Sequence, residues 1–277
     1  MAGEVGDHTL WILAEVNLLP KRLKWQPKHV AKVLESAQEL LVIHGRPDAP
    51  RTPAEKAAAK QMQDNNAEWF KKANLPDGQT VRDVIPHEMN TRFEAAKESF
   101  GGRYKNLDKL TPYWAANRLL NAAIAQLQLQ PLFPVADDVI QLARSRNVKV
   151  TQIAPRFLKG NPIAPTTESL MNICHLDTTL AELDARGARW IALANAWSVG
   201  DVKRLKQLMR QTPGRLPQCI PPVESAAAKA DAPWLAAAER SLATNTSALA
   251  VIDAAYLLQP GGLLDVLRSR GYEVIEP

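Results

Sequence analysis

The chain has 277 residues, 46% of them apolar and 23% charged, with a net charge of +5. That length buries a substantial core in one large domain or two small ones, and that balance excludes a disordered or fibrous chain. No apolar run approaches the roughly 20 residues that cross a bilayer. The mild basicity is interleaved with acids along most of the sequence, which is a surface property rather than the footprint of a nucleic-acid binder.

Residues 9–16 read as a buried strand, because the run is short, bulky or β-branched, and has polar flanks. Gln26-Pro27-Lys28 opens a helix, since proline lacks the N–H that would go unpaired in a first turn. Val30, Val33, Leu34 and Ala37 then recur at helical spacing, and residues 39–43 are a second strand-like run. Strand, helix and strand predict a βαβ unit with parallel strands and a right-handed crossover.

Residues 44–53 are rich in turn formers, a polar helix is expected over 54–72, and Leu75-Pro76-Asp77-Gly78 is a loop. Helical patterns follow over 81–100, 112–129 and 134–146, then a strand over 147–153. Residues 154–170, rich in proline and glycine, predict a long surface connection. Helices are expected at 166–186, 187–198 and 202–211. Residues 212–222 contain four prolines and exclude regular structure. A helix at 226–243, a strand at 248–252, a helix at 261–270 stopped by Gly271, and a last strand at 272–275 complete the chain. The expected fold class is α/β: a single sheet built from strands at both chain ends, with a helical insertion or cap in the middle. Residues 1–277 are expected to form one domain, with 54–245 as the mostly helical insertion.

Chemical motifs are sparse. The sequence contains no Gly-x-Ser-x-Gly elbow, phosphate-binding glycine loop, His-Glu-x-x-His or Cys-x-x-Cys. None of His8, His29, His44, His87 and His175 pairs with another at helical spacing. Glu15 reads as an outward-facing charge on a strand. Lys21, Arg22, Lys24 and Lys28 surround Trp25, a combination that suits stacking and phosphate contact, but the fingerprint of a binding module is missing. Lys21 and Arg22 either hold an anion at the strand end or sit in a solvated loop.

Several stretches together resemble the TraB/GumN family, related to the ChaN-like and Tiki-type proteins. They are Leu10-Trp-Ile-Leu-Ala-Glu-Val-Asn17 with Leu19-Pro20-Lys21, Leu75-Pro-Asp-Gly-Gln-Thr-Val-Arg-Asp83, Leu110-Thr-Pro-Tyr-Trp-Ala-Ala116, Trp197-Ser-Val-Gly-Asp201, and the ending from Gly261 to Val274. The resemblance runs along nearly the whole chain. It implies metal-dependent hydrolysis, carried by a Gly-x-x-His motif on the first strand and another near the last, with imidazole as the metal donor. Both motifs are altered here: the first position reads Ala14-Glu15-Val16-Asn17 and the second Asp253-Ala254-Ala255-Tyr256. Asn17, Asp253 and Tyr256, with His44 at the end of the second strand and Lys21 nearby, are the candidate residual pocket. An amide, a carboxylate and a phenol form a poor metal site, so no metal, cofactor or catalytic residue is assigned.

The resemblance also implies a disulfide. Cys174 and Cys219 are the two cysteines of the chain and flank the Trp-x-x-Gly-Asp stretch, as in some sequences of this kind. A bridge implies a bacterial periplasmic or secreted location, in a mature form without its signal peptide; two buried thiols in a cytoplasmic protein are the alternative. The favoured function is a non-catalytic binding or accessory protein whose partner is a small molecule or peptide. The alternatives are a metal-dependent hydrolase or peptidase with a site rebuilt around Asn17, His44, Asp253 and Tyr256, and, with least support, a nucleic-acid binder using residues 21–28.

Overall fold

The computed structural model describes residues 8–276 apart from 24, most of 44–72, 102–105, 131–133, 154–164, 212–215, 217, 218, 220–231, 259 and 260. Its strands are β1 (Thr9–Glu15), β2 (Leu19–Pro20), β3 (Glu39–Val42), β4 (Leu129–Gln130), β5 (Lys149–Gln152) and β6 (Ser247–Asp253). Four of them make a parallel sheet in the order β1-β6-β3-β5, while β2 and β4 pair separately and antiparallel. The chain ends therefore meet in one sheet, as expected. β1 and β3 are parallel but not adjacent, because β6 lies between them and pairs with both. A parallel sheet is covered on both faces, so its strands read as continuous apolar runs. Leu40, Leu41 and Val42 and the whole of Ala248–Ile252 are accordingly buried.

The helices are α1 (Lys28–Ser36), α2 (Val81–Val84), α3 (His87–Ser99), α4 (Pro112–Gln126), α5 (Pro134–Ser145), α6 (Pro165–Asp184), α7 (Ala188–Ser198), α8 (Val202–Met209), α9 (Ala232–Thr244), α10 (Ala254–Leu258) and α11 (Leu263–Ser269). The main core joins the sheet to α1, α5, α7, α8, α9, α10 and α11 through residues such as Leu34, Val139, Ala194, Leu205, Trp234, Leu257 and Leu263. A second core unites α2, α3, α4 and α6 around Val81, Met89, Phe93, Leu119, Leu176 and Leu180. The expected helix over 54–72 lies largely outside the described residues.

Two expectations are corrected. The pattern over 81–100 is two helices rather than one, because Pro86 lacks the N–H a continuous helix needs and disfavours helical geometry in Ile85. Residues 272–275 form no strand. Among the described residues the sheet keeps free edges at β1 and β5, but this segment pairs with neither. Tyr272 and Val274 pack on the main core instead, while Lys206 and Arg268 hold Glu276.

The helical middle is fastened at α6. Asp177 is fully buried; its Oδ1 accepts from Arg92 Nη1 at 2.7 Å, and its Oδ2 accepts from the Leu216 N–H at 2.9 Å. Arg92 also donates from Nε to Asp184 at 2.9 Å. Close by in the chain, Cys174 is joined to Cys219 across a separation of 45 residues. Both fastenings hold the stretch after α8 against α6.

Two outcomes follow. Unfolded, unreduced protein shows no free thiol in a thiol assay, and reduction lowers the melting temperature, because a loop of this length carries about 4 kcal/mol in the chain-entropy model. Asp177→Ala leaves the Leu216 N–H without its acceptor and Arg92 with one carboxylate fewer. It lowers stability by about 3 kcal/mol in denaturant melts, as expected for breaking a buried ion pair.

Candidate functional site

The site is built from the carboxyl ends of β1 and β6, the place where open α/β sheets hold their ligands. The parallel register sets Glu15 beside Asp253. Both are buried, Glu15 completely and Asp253 to 6% exposure. Glu15 was expected to face outward; β1 is an edge strand with Trp11 half exposed, but its last residue is covered. The start of α5 covers it, and Glu15 Oε1 accepts the Val135 and Ala136 N–H groups at 3.0 and 3.1 Å. These are among the first N–H groups of the helix, which have no partner within it and sit at the positive end of its dipole. The other oxygen, Oε2, is buried without a hydrogen-bond partner.

This half-satisfied state has an electrostatic result. Burial raises the Glu15 pKa to about 7, opposed by the two backbone N–H groups and assisted by the charges of Asp253 and Asp137. Burial also raises Asp253, opposed by hydrogen bonds from the Ala255 N–H and the Asn17 side chain. The Ala255 bond is 2.6 Å long and turns the Asp253 carboxylate back onto the start of α10.

The candidate pocket residues are distributed as follows. Asn17 and Asp253 come together through a side-chain hydrogen bond. Tyr256 lies on α10 and packs against the main core. Lys21 is exposed in the turn after β2, where its backbone N–H bonds Gln128 O at 2.9 Å. His44 lies outside the described residues. Glu15 was missed as a site residue, although a signal existed: it is the one charged residue within the otherwise apolar run from Leu10 to Val16.

The donor set is unsuited to a transition metal. Asn17 stands where the first imidazole would be and lies beside Asp253, whose carboxylate it favours. Glu15 has one oxygen held by backbone and the other buried. Among the described residues, no group of three or more His, Cys, Asp or Glu side chains is placed to hold a metal ion. The arrangement is suited to exchanging a proton near neutrality and to positioning hydrogen bonds.

The profile of the TraB/PrgY/gumN family matches residues 4–276. The chain belongs to that family. Comparison with curated proteins and with solved structures gives no match.

The raised Glu15 pKa predicts a pH-dependent stability. The folded state holds this proton more tightly than the unfolded chain does. The contribution is therefore complete below the ordinary value of 4.5 and is lost as pH rises through about 7. Glu15→Gln removes the titration. In urea melts at pH 5 and pH 8 the wild type loses up to about 3 kcal/mol relative to the variant across that interval. Parallel pH profiles for the two proteins would show that Glu15 does not titrate in this window.

Proposed function

We propose that the chain is a binding or accessory protein of the bacterial periplasm or the secreted space, built on the fold of a metal-dependent hydrolase without its metal chemistry. One observation carries the reading: Asn17, at a position where the family pattern has histidine, lies beside the buried Asp253 and favours its carboxylate. Water activation by a metal needs several strong donors around an ion with one position left open. The amide and the buried carboxylates supply a hydrogen-bonded floor instead. The Cys174–Cys219 bridge supports the location, since reducing compartments keep such thiols apart. No helix among the described residues is long and apolar enough to cross a membrane.

A second reading keeps catalysis, with a site rebuilt around Asn17, His44, Asp253 and Tyr256. The feature in its favour is Glu15, whose pKa of about 7 is in the range of a general acid or base.

The expected result is that protein purified without chelators carries no stoichiometric Mn, Co, Fe or Zn by mass spectrometry and shows no chelator-sensitive hydrolysis of a peptide and ester panel. About one such ion per chain, with turnover lost in Asn17→Ala or Asp253→Ala, would establish the rebuilt enzyme.

A further inference from the structure

A cleft of about 480 Å³ is lined by Leu23, Trp25, Gln26, Trp197 and Ser198. Its size is within the range of small-molecule sites. The cleft is bonded to the scaffold of the candidate site at two points. Trp197 Nε1 donates to Ala14 O, one peptide before Glu15, at 2.6 Å. Trp25 Nε1 donates to Asp138 Oδ2 on α5, whose first turn holds Glu15, at 2.8 Å.

We propose that this cleft binds a neutral sugar ring, which deepens the binding-protein reading and rests on it. The class follows from what the lining has left to offer. Both indole N–H groups are already used, so the two half-buried tryptophans present ring surface rather than a donor. Gln26 brings an amide, which both donates and accepts. Ser198 donates its proton to Asn195 O at 2.8 Å, leaving its oxygen as an acceptor. Of the described residues that line the cleft, none is charged.

A charged ligand therefore meets no counter-ion among these residues. A purely apolar ligand would use the indole rings but neither the exposed Gln26 amide nor the Ser198 oxygen. A pyranose satisfies both demands. Its C–H faces carry partial positive charge and pack on the negative face of an indole, while its hydroxyls at the ring edge pair with amide and hydroxyl groups. The rival ligand is a nucleotide, with its base on Trp25 and its phosphate drawn by Lys21 and Arg22, which are exposed on the same turn.

The test is titration of the intact protein by tryptophan fluorescence and calorimetry. The probes are cellobiose, maltose and N,N′-diacetylchitobiose, with AMP and choline as charged comparators. A saturable signal with at least one disaccharide below about 50 mM, and with neither comparator, is the expected result. Trp25→Ala then weakens binding about tenfold or more, whereas Trp25→Phe, which keeps a ring face but has no N–H, retains most of the affinity. Circular dichroism checks that both variants are folded. Saturation with AMP or choline alone, no saturation with any disaccharide, or equal loss in the two Trp25 variants overturns the proposal. Chelator-sensitive turnover would defeat the binding-protein reading without altering the outcome of these titrations, so the two failures are distinguishable.

Discussion

The pairing of β1 with β6 along Thr9–Glu15 and Ser247–Asp253 is the contact on which the candidate site depends. Among the described residues β1 has no other strand neighbour in its sheet, and β6 holds the place between β1 and β3. Closing a loop of more than 200 residues costs entropy that grows only slowly with length. It is offset by burying nearly all of β6 between two neighbours and two helical layers. The sheet is therefore completed only when the end of the chain is available, the kind of non-local pairing that slows folding. The same pairing sets Glu15 beside Asp253, brings Asn17 within reach of Asp253, and fixes the Ala14 carbonyl where Trp197 bonds it.

Two buried glutamates at opposite ends of this sheet show what the surroundings do to a carboxylate. Glu39 begins β3, and burial pushes its pKa up. Hydrogen bonds from Lys149, Thr151 and Ser241 outweigh that and leave it below the ordinary value. Lys149 and Thr151 bond one of its oxygens at 2.8 and 2.6 Å, and Asn245 bonds the other at 3.0 Å. It is a fully partnered clamp joining β3, β5 and the approach to β6. Glu15 ends β1 with only backbone donors, on one oxygen, and with carboxylates for neighbours. Burial wins there. A carboxyl group left short of partners costs stability, and such groups persist most often where function requires them.

Much of this was legible in the sequence. The strand-like runs at 9–16, 39–43, 147–153 and 248–252 correspond to the four strands; the central β3 and β6 are buried, as a parallel sheet requires of its inner strands, while the edge strands β1 and β5 are partly exposed. The bridge between Cys174 and Cys219 is present as the resemblance implied. Local patterns failed where a non-local contact decides. Tyr272-Glu273-Val274 alternates like a strand, but Tyr272 and Val274 pack on the main core instead of pairing with an edge of the sheet, and alternation alone carries no information about pairing. The burial of Glu15 required knowing that β1 pairs with β6 and is capped by α5. Asn17, His44 and Asp253 were expected near one another because all three follow predicted strands; Asn17 lies beside Asp253 across 236 positions, and His44 is outside the described residues.

Trp25 and Trp197 illustrate a further limit of reading locally, and also why the cleft is a credible binding surface. Apart, each is a large residue next to a turn. Together they line one cleft, and each has spent its only polar hydrogen on the scaffold. A tryptophan has few rotatable bonds, and one whose N–H is fixed loses little further freedom when a ligand stacks on it. The ordering cost that opposes association was met during folding. The bonds that hold these rings end one peptide from Glu15 and one residue from Asp137, the two acids that influence each other across the start of α5. The cleft and the buried carboxylates are thus joined through the scaffold, since the two indoles that line the cleft bond Ala14 O and Asp138.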